Sequence, residues 1–328
     1  MSYFILGSTS FAGSSFVDYL LTQGEHVIGV SRSTEPHSVM QPYFDNPNKA
    51  AFQFFQCDLN HDIDAITQLI AKHKPRYIVD FAGQGMVAES WSDPAQWYMT
   101  NIISKVKLHQ FLKDCDFLER YIRVSTPEVY GNREDKMLEN HSPNPSTPYA
   151  VSHTAIDMSL MAFFKQYQFP VILTRFANFY GPHQQLYRII PRTMIYALTD
   201  KKLPLHGGGA SERMFIYADD ISSGLYKTIQ RGKLGETYHF ANGPCLSIRN
   251  MVEKICGLVD VQFDSFVEIA AERAGKDYKY EMDAAKAKNE LGWSPAYSLE
   301  QGLEKTARWV KDHLDIIKTL PLSYIHKP

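Results

Sequence analysis

The stretch Tyr3-Phe-Ile-Leu-Gly7-Ser-Thr-Ser10-Phe-Ala-Gly13 decides the fold. Its apolar first part predicts a buried strand, and the helical spacing of Phe16, Leu20 and Leu21 predicts a helix directly after the glycines. A glycine turn between a strand and a helix lets backbone amides approach a pyrophosphate, whose negative charge the helix N-terminus favours. The residues that would form this nucleotide-binding turn are Gly7, Ser10, Phe11, Ala12 and Gly13.

The turn departs from the usual G-x-x-G-x-x-G pattern because Ser10 occupies the middle glycine position. Taken alone, the motif also fits a tight strand-to-helix turn that binds no ligand. Its position at the first turn of a strand–helix–strand unit favours the nucleotide-binding interpretation.

Further apolar runs follow at intervals that leave room for amphipathic helices. They lie at residues 26–30, 52–55, 77–81, 120–125 and 171–175. Apolar strands that alternate with helices are typical of a parallel sheet covered on both faces. We therefore predict an α/β fold, with a Rossmann-type doubly wound parallel sheet over residues 1–175, to which later strands and helices return. Residues 176–328 would mainly form a smaller mixed substrate-binding region.

The composition excludes several classes of protein. The 328 residues include 34 Lys and Arg against 36 Asp and Glu, so the basic excess that a nucleic-acid partner requires is missing. The four cysteines are far apart, without the spacing of a metal site or a disulfide framework. No apolar run reaches the roughly 18–20 residues that span a bilayer, and a secretory signal is not recognisable. We expect a cytoplasmic protein without a membrane partner.

The end of the second predicted strand, Val30-Ser31-Arg32-Ser33, indicates which dinucleotide would bind. NAD enzymes generally place a carboxylate here for the adenosine ribose. Ser31 would not repel a phosphate, and Arg32 can hold one through charge-assisted hydrogen bonds. We predict NADP rather than NAD; an exposed arginine that binds nothing is the alternative.

Two later strand ends complete the predicted cofactor site. The residues after the third strand would meet the adenine edge, and small residues after the fourth would let the ribose and phosphate pass. These residues are Asp58, Leu59, Phe81, Ala82, Gly83 and Gln84.

Two segments carry the predicted catalytic chemistry. Ser125-Thr-Pro-Glu128-Val-Tyr130-Gly131 follows a strand, and Pro148-Tyr149-Ala-Val-Ser-His153 begins a helix with Tyr149 and His153 on one face. Here the chain resembles the extended short-chain dehydrogenase/reductase family, and within it the nucleotide-sugar 4,6-dehydratases. Segments around Asn178, Arg213 and Trp293 continue the resemblance in the same order along nearly the whole chain.

The resemblance implies a role for each catalytic residue. Tyr149 would take the proton of the sugar C4 hydroxyl while hydride passes to the cofactor, and Thr126 would bind the same oxygen. Glu128 would remove the C5 proton that the 4-ketone acidifies, before water is lost and hydride returns to C6. His153 would contact the cofactor ribose, as would Tyr149.

The resemblance also implies substrate contacts and an assembly. Gln84 and Thr126 would lie beside the sugar, and Asn178, Arg213 and Arg273 would hold the nucleotide diphosphate. Helices around 94–113 and 149–167 would pair across a two-fold axis into a four-helix bundle, which predicts a homodimer.

Two residues depart from the family pattern. The dTDP-glucose enzymes carry an aspartic acid that protonates the leaving hydroxyl where this chain has Pro127, so Glu128 would have to return its proton to that oxygen. The family lysine, one turn after the tyrosine, is His153, which would help the Tyr149 phenolate weakly and less as pH rises. A nucleotide-sugar 4-epimerase, a UDP-glucuronate decarboxylase-like enzyme and a non-catalytic NADP-binding protein therefore stay open.

Overall fold

The computed structural model of the protein describes residues 2–271 and 278–327. Strands of the first half are β1 (Ser2–Leu6), β2 (His26–Ser31), β3 (Phe52–Gln56), β4 (Tyr77–Asp80), β5 (Arg120–Val124), β6 (Val171–Phe176) and β7 (Asn178–Tyr180). Those of the second half are β8 (Leu203–His206), β9 (Glu212–Arg213), β10 (Phe215–Tyr217), β11 (Thr237–Phe240), β12 (Leu246–Ser247), β13 (Val267–Ala270) and β14 (Lys279–Tyr280).

Helices connect most of these strands. They are α1 (Phe11–Thr22), α2 (Ile63–His73), α3 (Pro94–Tyr98), α4 (Ser104–Leu112), α5 (Pro148–Tyr167), α6 (Ile189–Ala197), α7 (Ala218–Arg231), α8 (Ile248–Val259), α9 (Phe263–Phe266), α10 (Ala285–Leu291), α11 (Leu299–Asp312) and α12 (Leu314–Ile317). The π-helical turn Met99–Ile103 joins α3 to α4. Within the described ranges, no helix is long and apolar enough to cross a bilayer.

The central sheet has seven parallel strands in the order β11-β6-β5-β4-β1-β2-β3. Successive residues of β1 point to opposite faces: Tyr3 and Ile5 join the core beneath α1 and α7, whereas Phe4 and Leu6 join the core beneath α2, α4 and α5. Both faces are therefore covered, and the predicted doubly wound α/β fold is confirmed.

The second half of the chain contributes small sheets and a further core. β7 pairs with β10, β8 with β13, and β9 with both β12 and β14. A separate apolar cluster joins α6, α8 and α11 through Met194, Ile255 and Val310. β11 and α7 return to the central sheet and its cover.

The strand order places the site. β1 lies between β2 and β4, and the chain leaves it in opposite directions, which opens a crevice at the carboxyl ends of the strands. The residues after β1, β2, β4 and β5 all reach this edge, including Gly7, Arg32, Gln84 and Thr126.

Candidate active site

The turn after β1 is shaped by its own backbone. Gly7 has a φ of +77°, and a Cβ there would lie 2.7 Å from the backbone nitrogen of Ala82. Ser10 caps α1: its hydroxyl donates to the Gly7 carbonyl at 2.7 Å and accepts from the Gly13 amide at 3.1 Å. The hydroxyl thus closes the turn at the position where the usual pattern has a glycine.

The start of α1 fits the phosphates of a dinucleotide. Phe11 and Ala12 form the first turn of this helix of 12 residues, which contains no acidic side chain there. The Phe11 ring stacks on Phe179 at 5.7 Å between centroids, which ties the helix start to β7. A positive helix end without a competing carboxylate suits an anionic ligand.

The end of β2 supplies one structural residue and one cation. Ser31 is buried, and its Oγ accepts from the Thr9 amide at 3.0 Å, so it braces the glycine turn. The Arg32 side chain is one-third exposed, with Nε 4.0 Å from an Asp58 carboxylate oxygen. Leu59 is buried beside them. The structure thus brings Arg32 and Asp58 together at the predicted adenosine end.

The end of β4 is held by a buried asparagine that the sequence analysis missed. The Gln84 amide donates to Oδ1 of Asn101 at 2.8 Å, and a Cβ on Gly83 would approach the same oxygen to 2.9 Å. Asn101 lies in the π-helical turn, a local distortion common at functional sites. Phe81 and Ala82 pair with Leu6 and Asp80 through their amides. No sequence motif marks this asparagine.

A second feature missed from the sequence is the segment 324–327. The Gln84 side chain donates to the Lys327 carbonyl at 2.7 Å, and Lys327 Nζ donates to Ser33 Oγ at 2.8 Å. The His326 ring stacks on Trp97, with 5.4 Å between ring centroids and 5° between planes. The segment therefore contacts two strand ends that we expect to bind the cofactor.

Three predicted catalytic residues meet after β5. Thr126 caps the short 3-10 turn Pro127–Tyr130, and its side chain is hydrogen-bonded to Tyr149 at the start of α5. Burial raises the pKa of Tyr149 above its usual range, and the carboxylate of Glu128 raises it further. The Thr126 hydrogen bond and the charges of Arg123 and Arg188 act in the opposite direction.

His153 lies one helical turn after Tyr149, and their ring centroids are 4.5 Å apart. It is 7% exposed, and Nδ1 lies 3.0 Å from Nη2 of Arg123. Burial, followed by the charge of Arg123, lowers the pKa of His153 well below its usual value. Both effects disfavour the charged imidazole, so the weak and pH-dependent support that we expected it to give the Tyr149 phenolate becomes weaker still.

Beneath Tyr149 and His153 lies a group of five charged side chains, here called the buried charged cluster. Its members are Asp80, Lys105, Arg123, Asp157 and Arg175, each at most 5% exposed. Lys105 Nζ lies 2.6 Å from an Asp80 oxygen, and Arg175 Nη2 lies 3.0 Å from an Asp157 oxygen. Arg123 reaches both carboxylates, at 3.4 Å and 3.7 Å.

The structure describes two of the three residues that we expect to hold the nucleotide diphosphate. Asn178 begins β7, and its amide donates to the Met214 carbonyl, next to Arg213. The Arg213 guanidinium lies over the Tyr280 ring, 4.4 Å from its centroid, and donates to the Tyr278 carbonyl at 3.1 Å. Arg273 lies outside the described residues.

Known proteins resemble this chain in sequence. The sequence model of the GDP-mannose 4,6 dehydratase family matches residues 4–306. The dTDP-glucose 4,6-dehydratase of Xanthomonas campestris pv. campestris (strain ATCC 33913) is 28% identical over 94% of this chain and 92% of its own length.

Solved structures of nucleotide-sugar enzymes resemble this chain in fold. The dTDP-glucose 4,6-dehydratase of Streptomyces venezuelae, with NAD and TDP bound, has a TM-score of 0.89 at 28% identity, with 96% of this chain and 98% of that chain covered. A UDP-glucose 4-epimerase from Thermotoga maritima has a TM-score of 0.84 at 26% identity, over 96% and 100% of the two chains. The chain belongs to the GDP-mannose 4,6-dehydratase family, a group of hydro-lyases in the nucleotide-sugar 4,6-dehydratase branch of the extended short-chain dehydrogenases/reductases.

Proposed function

We propose that the protein is an NDP-hexose 4,6-dehydratase, which converts a nucleotide-activated hexose to its 4-keto-6-deoxy form with NADP bound. One observation carries the proposal: the side chains of Thr126 and Glu128 both lie close enough to the Tyr149 hydroxyl to shift its pKa, Thr126 downward and Glu128 upward. Removal of a proton from C5 needs such a carboxylate beside the residues that bind the C4 oxygen. A 4-epimerase needs no base for C5.

The chain's residues divide the proton transfers among them. Tyr149 accepts the proton of the C4 hydroxyl, and Thr126 keeps that oxygen in place. Glu128 takes the C5 proton once C4 is a ketone. When bound, the nicotinamide cofactor supplies the hydride acceptor at C4 and the hydride donor at C6.

The departing C6 hydroxyl also needs a proton. Pro127 is buried and carries no acidic group, so it cannot supply one. Glu128 is protonated as soon as it has taken the C5 proton, and it can then give that proton to the departing oxygen. One carboxyl group therefore acts first as base and then as acid, and C5 takes up a new proton that exchanges with solvent when hydride reaches C6; the C4 hydroxyl proton that Tyr149 accepted makes up the balance.

The preference for NADP rests on the end of β2. Ser31 is neutral there, and its hydroxyl contacts the glycine turn through the Thr9 amide. The Arg32 side chain is partly exposed. A guanidinium holds a phosphate through two parallel hydrogen bonds. Asp58, 4.0 Å away, positions the guanidinium through its charge.

A homodimer is the proposed assembly. α5 packs against α3, α4 and the π-helical turn between them. The turn exposes Met99 and Ile103 to solvent, and α5 exposes Val151 and Met158. Apolar side chains clustered on neighbouring helices are typical of an interface. Two copies joined through this face would form a four-helix bundle. Met158→Glu should halve the mass measured by light scattering, whereas an unchanged mass would exclude this face.

The substrate can be identified by mass spectrometry. The protein would be incubated with NADP and a panel of dTDP-, UDP-, CDP- and GDP-hexoses, their N-acetyl forms and UDP-glucuronate. Loss of one water from a single member, without accumulation of NADPH, is expected. Loss of carbon dioxide would instead indicate a decarboxylase, and a changed sugar configuration without a change of mass would indicate an epimerase. Cofactor binding without any turnover would indicate a non-catalytic protein.

A further inference from the structure

The contact between Arg123 and His153 determines where the histidine carries its proton. A guanidinium can only donate hydrogen bonds, and it keeps its charge at every pH at which proteins fold. The Nδ1 atom, 3.0 Å from Arg123 Nη2, must therefore accept. The single proton of the neutral ring is left on Nε2.

The Nε2–H group is the part of the ring that remains for a ligand. Within residues 2–271 and 278–327, no side chain or carbonyl accepts a hydrogen bond from it. His153 and Tyr149 face each other across one turn of α5, so a donor on His153 lies on the same side as the Tyr149 hydroxyl. A ribose hydroxyl is a suitable acceptor.

Arg123 also carries charge that the rest of the buried charged cluster does not cancel. The cluster contains three cations, Lys105, Arg123 and Arg175, and two carboxylates, Asp80 and Asp157. The cluster therefore holds one positive charge in excess below Tyr149 as long as Lys105 keeps its proton, and Arg123 is a member of the cluster whose charge lowers the pKa of Tyr149. Attraction to this charge favours the phenolate over the phenol, since the site is shielded from water.

Lys105 is a poorer source of that charge than Arg123. Its ammonium group is committed to Asp80 at 2.6 Å and to the Ala82 carbonyl. Burial lowers the pKa of Lys105 to about 8, so it loses its proton in the pH range where a tyrosine base works. The neighbouring His109 is neutral, since burial lowers its pKa to about 3.

We propose that Arg123 and His153 divide between them two tasks of the lysine that the family has at this position: placing a positive charge near Tyr149 and donating a hydrogen bond to the cofactor ribose. Arg123 supplies the permanent positive charge beneath Tyr149, and through Nδ1 it positions His153 to donate its Nε2–H to the cofactor ribose. Arg123 is a positioning residue, because its guanidinium is buried and reaches the cofactor only through His153. The proposal rests on the proposed function only in its second test below.

The first test measures the proton position directly, without substrate. Nitrogen-15 NMR of histidine-labelled protein distinguishes the two neutral tautomers and the cation. The His153 signals are assigned by their loss in His153→Gln. We expect an unprotonated Nδ1 and a protonated Nε2 that do not titrate between about pH 5.5 and 9. A proton on Nδ1, or titration near pH 6.5, would overturn the proposal even if the enzyme turns over sugar nucleotides.

The second test separates charge from hydrogen bonding. Arg123→Gln removes the charge but keeps an N–H donor for Nδ1, and the observable is the pH dependence of cofactor reduction in a single turnover. We expect the pH profile of cofactor reduction to move by about one pH unit to the alkaline side, which lowers the rate at pH 7 about tenfold. Adding His153→Lys to this variant should return the profile towards that of the wild type.

Controls keep this second test interpretable. The facing groups Glu128, Tyr121, Asp80 and Asp157 also influence the profile, so the melting temperature and circular dichroism of each variant are compared first. An unchanged profile in folded Arg123→Gln would overturn the charge role. If that variant does not fold, the single variant His153→Lys provides the test. Its ammonium group would lie beside the fixed positive charge of Arg123, so cofactor binding should weaken. Unaltered binding would contradict the proposal.

Discussion

The catalytic residues and the buried charged cluster beneath them differ in how the chain supplies them. Thr126 and Glu128 come from one short turn, and Tyr149 begins the next helix, so two contiguous segments carry the visible chemistry. The cluster draws its members from β4, α4, β5, α5 and β6. The comparison separates residues that contact the substrate from residues that set the electrostatic conditions for them.

The largest expected effect comes from the catalytic residues. Glu128→Gln should lower the dehydration rate by about 10²–10⁴-fold, because the amide cannot accept the C5 proton. Binding of NADP and the melting temperature should be nearly unchanged, since the side chain is half-buried and equal in size to glutamine. Dehydration at the wild-type rate would remove Glu128 as the base.

The buried charged cluster should instead govern stability. Asp80→Asn leaves Lys105 and Arg123 facing a neutral amide in a site closed to water, which should cost about 3–5 kcal/mol in the free energy of unfolding. Glu119→Gln, in the exposed pair with Arg76, is the matched control and should cost less than about 1 kcal/mol. Urea denaturation measures both. Equal losses would show that burial does not distinguish the two pairs.

The pH dependence of the free energy of unfolding tests whether His109, which lies next to this cluster, stays neutral in the folded protein. Burial lowers the pKa of His109 to about 3, whereas the unfolded chain has a value of about 6.5. Between these values the unfolded state binds the extra proton, so unfolding becomes easier as pH falls, by about 1.4 kcal/mol per pH unit. His109→Gln should remove that part of the slope at pH 5, whereas the exposed His61→Gln should not.

The smallest effect is expected at the cofactor end. Arg32→Ala should weaken binding of NADP about tenfold, or ~1.4 kcal/mol, and leave NAD binding almost unchanged. The ratio of the two dissociation constants within one protein sample is the measurement, so differences in folding cancel. An unchanged ratio would mean that Arg32 does not contact a 2′-phosphate.

Much of the fold was predictable because its signals are local. The apolar runs at 26–30, 52–55 and 120–125 correspond to β2, β3 and β5 within one residue, and the family resemblance was confirmed. The turn residues Gly7 and Ser10 lie next to each other in both sequence and space.

The rest depends on contacts between distant residues. Arg123 and Arg175 sit in largely apolar strands, and only the folded sheet places them beside Asp157. Asn101 meets Gln84 through a helical distortion without a sequence signature. The segment 324–327 reaches Gln84 across 243 positions of the chain. Spacing along a sequence does not report any of these approaches.

The central claim is that Glu128 removes the C5 proton on the way to loss of water. The most direct measurement is turnover in deuterium oxide of the sugar nucleotide that reacts, with the product analysed by mass spectrometry and NMR. We predict a product that has lost one water and carries one deuterium from the solvent at C5, formed about 10²–10⁴-fold more slowly by Glu128→Gln. A product without deuterium at C5, or solvent exchange at the wild-type rate in Glu128→Gln, would contradict the account.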